Sequence, residues 1–206
     1  MKILALILLL FCFSGESVPP SVRSAQSSVL NLTVNGETIC TAFVVDSSHG
    51  RYLVSAGHCA EELKASDKVV AQSSEINVSY PVHLKSFADS WPNTDFSIFL
   101  FDKDAPKGGL QLTQTAPAIG DEVWSVVGPL GIAPILTGGI YGGKVRVVDE
   151  PESRVNGMYA ISNITAAPGA SGSPVLDSQG RVWGILVGGH PRIPAFAMVV
   201  LVPQEK

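Results

Sequence analysis

Thr165-Ala166-Ala167-Pro168-Gly169-Ala170-Ser171-Gly172-Ser173-Pro174 places one hydroxyl, that of Ser171, in a turn bracketed by Gly169, Gly172 and Pro174, with the apolar pair Val175-Leu176 directly behind it. Such a turn can present a serine and its neighbouring backbone N–H groups together. Acyl transfer needs both: a nucleophile, and preorganised donors about 2.7–3.1 Å from the developing oxyanion. Glycine, serine and proline also gather in turns for backbone reasons, so in isolation the stretch reads first as a simple turn. Two stretches upstream change that reading.

Val54-Ser55-Ala56-Gly57-His58-Cys59-Ala60 follows an apolar run and ends in a histidine on a small-residue turn. Alone, that ring reads as a packing or surface residue. Asn93-Thr94-Asp95-Phe96-Ser97-Ile98 puts a carboxylate at the mouth of an apolar strand, where a capping or turn aspartate is the ordinary reading. Together the three stand in the order His58, Asp95, Ser171. A serine hydroxyl is a poor nucleophile at its free pKa and needs an imidazole to take its proton; the imidazole needs a carboxylate to fix its tautomer and stabilise the imidazolium. One residue is present for each role.

The chain has 206 residues, 46% of them hydrophobic and 16% charged, which is the composition of a globular protein with room for real cores. Twenty glycines and fourteen prolines are spread among many short Val/Ile runs, and this points to an all-β fold. Strands are expected at 29–34, 39–45, 52–55, 69–72, 80–85 and 96–101, and again at 122–127, 135–140, 144–148, 158–161, 175–176, 182–187 and 196–202. Asn35-Gly36 between the first two is a hairpin signal. A turn or two near 60–65 is the only helical spacing. The polar stretch 102–117, rich in Lys, Gly and Pro, reads as the connection between two halves, although no internal sequence repeat is visible. Two six-stranded antiparallel barrels, about 28–104 and 115–206, would use this many strands and leave no open sheet edge.

Met1-Lys2 and the apolar run to Phe13, followed by small and polar residues, form a secretory signal peptide over 1–17 with cleavage after Ser14 or Ser17. Lipid attachment at Cys12 is disfavoured by bulky Phe11. Residues 18–27 read as a flexible leader. Loss of the signal peptide, with Cys12, leaves Cys40 and Cys59 in an oxidising compartment, secreted or periplasmic, where a disulfide is expected and two buried thiols are the alternative. Sequons stand at Asn31, Asn77 and Asn163. The net charge of −4 is unchanged without the signal peptide, because Lys2 and Glu16 cancel, and it offers nothing to nucleic acid or anionic lipid. No stable membrane association is expected after signal cleavage.

Ser-Ala-Gly-His-Cys at 55–59, Thr-Asp-Phe-Ser-Ile at 94–98 and Gly-Ala-Ser-Gly-Ser-Pro at 169–174 resemble the three signatures of chymotrypsin-fold, trypsin-like serine proteases, over about 29–202. Gly120-Asp121-Glu122-Val123, Gly128-Pro129-Leu130-Gly131 and Thr137-Gly138-Gly139-Ile140 resemble the HtrA-like branch. Ser171 to Val175 and Gly184 to Gly189 resemble glutamyl endopeptidases. The resemblance implies that His58 is the base, Asp95 the orienting carboxylate and Ser171 the nucleophile, with the N–H groups of Gly169 and Ser171 as the oxyanion hole. It also implies the pairing of Cys40 with Cys59. Asp89, Asp102 and Asp104 do not begin an apolar strand in the family pattern, and His49, His83 and His190 lack the small-residue setting of His58. Ala170 stands where digestive proteases have an aspartate for a freed N-terminus, so activation by a trypsin-type cut is not expected. Nor is a PDZ domain expected after Lys206.

In the specificity pocket the resemblance places Thr165 where trypsin-like enzymes carry a charged base, and Leu186 where glutamyl endopeptidases have a histidine. Val187, Gly188 and Gly189 would form a wall pairing with substrate backbone, and Ala195 would leave room opposite. An apolar or small P1 side chain follows, with His190 keeping an acidic preference as a minor reading. The expected protein is a monomeric secreted endopeptidase acting on peptide or protein substrates, with no cofactor and no metal site. The alternatives are a catalytically silent homologue that binds a peptide or protein partner, and an esterase acting on non-peptide substrates.

Overall fold

The computed structural model describes residues 18–73, 75–90, 94–132, 134–148, 156–190 and 193–202, with only the backbone path described at 89–90, 145–148, 156–161, 190 and 193–195. The expected signal peptide lies outside the described residues. Strands β1 (Val29–Val34), β2 (Glu37–Ser47), β3 (Gly50–Ser55), β4 (Val69–Ser73), β5 (Val78–Ser90) and β6 (Thr94–Phe101) close into one antiparallel barrel in the order β1-β2-β3-β6-β5-β4. A second closes as β10-β11-β12-β9-β8-β7 from β7 (Glu122–Val127), β8 (Ile135–Val148), β9 (Asn156–Ser162), β10 (Pro174–Leu176), β11 (Val182–His190) and β12 (Ile193–Leu201). Because β1 pairs with both β2 and β4, and β7 with both β8 and β10, neither sheet keeps a free edge.

The local chemistry accounts for the turns. Asn35 and Gly36 sit at φ 52° and 92°, as the tight β1–β2 hairpin requires. The two strands expected at 135–140 and 144–148 are one: β8 runs through Tyr141-Gly142-Gly143 with a register shift against β9, and Gly143 at φ 108° absorbs the extra residue. The stretch 60–65 is turn without helix. Inside the first barrel Leu30, Leu32, Phe43, Leu53 and Phe99 are fully buried, and Trp183, Val175 and Leu186 fill the second. The connection 102–117 is laced to both barrels, since Leu110 exchanges backbone bonds with Val44 and Asp46, and Gln111 and Thr113 with Val182.

Residues 18–27 are the main departure from expectation. Helix α1 (Pro20–Ser24) and a 3-10 turn (Ala25–Ser28) replace the flexible leader, and Val22 is 0% exposed. Val22 and Ala25 are buried in the core with Val18 packed against it, and three apolar residues of which only Val22 lies within the helix are too few to stand out in polar surroundings. The Ser21 hydroxyl donates to Ser178 O at 3.1 Å, and the missing Cβ of Gly180 makes room for the Ser21 carbonyl. The helix thus caps a turn of the second barrel before the chain enters the first. Cys40 and Cys59 form a disulfide with Cα atoms 6.3 Å apart. Asn31 is buried and donates to Gly131 O at 2.9 Å, so that sequon is closed to glycan in the folded protein.

Val22→Ala removes two buried methyl groups and should lower stability by about 2 kcal/mol. Urea unfolding should show a lower midpoint at unchanged slope; an unchanged midpoint would mean that the helix is not docked.

Candidate active site

β3 and β6 are paired neighbours, with Ser55 opposite Ser97, so the turn leaving β3 and the start of β6 meet at one barrel rim. His58 lies on that turn and Asp95 is the second residue of β6. The His58 backbone N–H donates to Asp95 Oδ1 at 2.8 Å, and His58 Nδ1 lies 2.8 Å from Oδ2. Asp95 is 0% exposed, whereas the His58 side chain is 38% exposed. An ionised carboxylate only accepts, which places the ring proton on Nδ1 and makes Nε2 the basic nitrogen. Gly57 makes the approach possible: a Cβ there would stand 2.5 Å from Ala88 O and 2.8 Å from Asp95 Oδ1. The buried Ser97 hydroxyl donates to Ala56 O at 2.7 Å and holds the turn from the other side.

Ser171 comes from the second barrel. Gly169 at φ 84° and Gly172 at φ 88° give its turn a shape that residues with a Cβ adopt reluctantly. A Cβ at Gly172 would run into Thr41 O and Ser55 Oγ, so the turn lies directly against the first barrel. Thr41 N–H donates to Ser171 O at 2.8 Å across that seam. The Ser171 hydroxyl donates to Val187 O at 3.3 Å; Val187 lies at a register shift between β11 and β12, a bulge of the kind that re-aims backbone beside active sites. Ser171 and His58 line one cavity of about 370 Å³. Among the described residues, the N–H groups of Gly169 and Ser171 donate to no backbone acceptor.

The residues expected at the specificity pocket are partly assembled. A Cβ at Gly189 would lie 3.4 Å from that of Ala166, so the 187–189 segment faces the 165–167 turn. Thr165 is exposed and its hydroxyl accepts from Thr137 Oγ1 at 3.2 Å. Leu186 departs from expectation: its side chain is 0% exposed in the second core, because alternation along β11 turns it inward, and only its backbone serves the site, exchanging bonds with Gly172 and Ser173. The side chains of His190, Ala195 and Asp89 lie outside the described residues. His83 and Asp102 pair with each other at 2.6 Å on the surface, and His49 sits in an exposed turn beside Ser48. The sulfurs of Cys40 and Cys59 and a ring nitrogen of His58 lie within 4.8 Å of one another, but a disulfide offers no thiolate to a metal.

Sequence reasoning missed Ile39, Leu63, Glu62 and Asp67, which line the cavity beside the disulfide. The Lys64 backbone N–H, then the Asn35 side chain, hold the Asp67 carboxyl below its ordinary range. Proximity to Cys40 and Cys59 in the chain was the only available signal for Ile39 and Glu62.

The model of the trypsin-like peptidase domain matches residues 40–185, and the chain belongs to that family. Among solved structures it is similar to the active form of the Rv3671c protease from M. tuberculosis, with 18% identity and a TM-score of 0.69, covering 89% of this chain and 80% of that one. It is also similar to the HtrA-type protease AlgW with decapeptide, with 16% identity and a TM-score of 0.69, covering 88% of this chain and 63% of that one. At these identities the likeness concerns the fold. No curated protein matches significantly.

Gly57→Ala should push Asp95 and the Ala88 carbonyl away from the turn and reduce turnover by two or more orders of magnitude, on the order of other losses of carboxylate support. Turnover near wild type in a folded Gly57→Ala protein would refute the need for that close approach.

Proposed function

We propose that this chain is a serine endopeptidase in which His58, Asp95 and Ser171 act as base, orienting carboxylate and nucleophile. The observation that carries the reading is the fully buried Asp95 carboxylate, which engages both the backbone and the ring of His58 at the mouth of the cavity that Ser171 lines. The Ser171 contact with Val187 O is long for an O–H···O bond, so turning the hydroxyl toward His58 costs little.

In the reaction, substrate backbone pairs along Val187 to Gly189 and the P1 side chain enters beside Thr165 and Ala166. Ser171 Oγ attacks the carbonyl carbon as its proton passes to His58 Nε2, and Asp95 stabilises the imidazolium. The N–H groups of Gly169 and Ser171 receive the oxyanion. His58 then protonates the leaving amine, the C–N bond breaks, and water returns along the same path to release the acyl group. Thr165 carries no charge and Ala166 offers only a methyl group, so a small or apolar P1 side chain fits, with about 1–3 kcal/mol of discrimination from burial. The apolar run at 3–13, read as a signal peptide, and the disulfide support secretion or a periplasmic location.

A fluorophosphonate probe should label Ser171 alone, and Ser171→Ala should abolish both labelling and hydrolysis while leaving the thermal midpoint nearly unchanged. Cleavage by Ser171→Ala at the wild-type rate would remove the assignment. On a peptide library, Val, Leu, Ala or Met should dominate at P1; a strong preference for Arg, Lys or Glu would show that the pocket lies elsewhere.

A further inference from the structure

The donor expected from Gly169 belongs to the peptide unit joining it to Pro168, and that unit has little of its own to fix it. Gly169 has no Cβ, sits at φ 84°, and allows rotation of the adjoining peptide at small steric cost. Two contacts from outside the turn hold the carbonyls that flank Gly169, that of Pro168 in the same peptide unit and that of Gly169 in the next. Leu130 N–H donates to Pro168 O at 3.0 Å, and the Thr41 hydroxyl donates to Gly169 O at 2.8 Å.

Thr41 also joins these two supports. Its Oγ1 accepts the N–H of Gly128 at 3.1 Å, which ties it to the 128–131 turn that carries Leu130. Leu130 is 78% exposed at φ 53°, a backbone conformation a leucine keeps only where its surroundings impose it. The Thr41 main chain is engaged as well: its N–H holds Ser171 O, and its carbonyl accepts the Ser55 hydroxyl at 2.7 Å, three residues before His58. Fully buried, Thr41 lies at the seam where the first barrel meets the Ser171 turn.

We propose that the Thr41 hydroxyl is the positioning group for the oxyanion hole, keeping the Gly169 N–H aimed at the reacting carbonyl from the opposite barrel. The inference rests on the reading of Gly169 and Ser171 as oxyanion donors. Thr41 touches no reacting atom; it acts through Gly169. Without its hydroxyl, Gly169 O and Gly128 N–H lose their partner, the Gly169–Ala170 peptide and the 128–131 turn that holds Pro168 O are both released, the Gly169 N–H loses its aim, and stabilisation of the tetrahedral state falls while substrate still binds.

The test compares wild type, Thr41→Val and Thr41→Ser in kcat, KM and affinity for a peptide boronic acid, whose tetrahedral adduct places an oxygen in the oxyanion hole. Thr41→Val should lose about tenfold or more in kcat and in boronate affinity together, with KM held within about twofold, and Thr41→Ser should recover most of both. An active wild type with undiminished kcat and boronate affinity in Thr41→Val overturns the inference and leaves the catalytic reading standing. So does a loss in Thr41→Val that falls on KM alone. A wild type that neither cleaves peptides nor binds the boronate overturns the catalytic reading and the inference with it. Should Thr41→Val fail to melt cooperatively, Thr41→Ala decides the matter, because it deletes the same hydroxyl without setting a methyl group against Gly169 O. The same joint loss supports the proposal, and unchanged boronate affinity overturns it.

Discussion

A carboxylate with no exposure to water is the constraint around which the site is built. An isolated buried charge is costly and persists only where hydrogen bonds meet it. Asp95 meets two within its own barrel, from the backbone and the ring of His58. Those bonds require the His58 turn to lie against the start of β6, and that in turn requires a residue without a side chain at 57. The Ser55–Ser97 pairing of β3 and β6 brings the two segments to the same rim. Barrel closure therefore matters to the chemistry as much as to the stability.

The second constraint is the seam between the barrels. Ser171 reaches the His58 rim because its turn lies flat on β2 and β3, with Gly172 filling the only space that Thr41 and Ser55 leave. One residue of β2, Thr41, binds this turn through its N–H and its hydroxyl and binds the end of β3 through its carbonyl. The disulfide to Cys59 begins at the preceding residue, Cys40, so the covalent and hydrogen-bonded restraints on the His58 and Ser171 turns meet within two positions of one strand. Helix α1 and the 102–117 connection add contacts away from the cleft that also span the two barrels. Such a site is held from both sides, as preorganised donors need.

Much of this was legible in the chain. Apolar alternation and turn chemistry are local, and they located the strands of both barrels, the Asn35-Gly36 hairpin and the glycine-bracketed Ser171 turn. The one strand miscount, at β8, came from treating a glycine pair as a terminator when the ladder passes through it with a bulge. The 18–27 segment was misread for a related reason, since Val18, Val22 and Ala25 count for little until a surface is there to receive them.

The sequence by itself determined the types and order of the candidate groups: a histidine on a small-residue turn, a carboxylate opening an apolar strand, and a serine among glycines. It could not determine the geometry in which those groups meet, nor which other side chains pair around them. The resemblance named Asp95 as the carboxylate for His58, but only the folded chain gives that contact its geometry, pairs Asp102 with His83, turns Leu186 into the core, and sets a β2 hydroxyl against a carbonyl 128 residues away. The reason is physical. Secondary structure follows from a few neighbouring residues, whereas these contacts depend on strand register and on the packing of two closed barrels, and a one-residue slip in either would turn the same side chains to the other face.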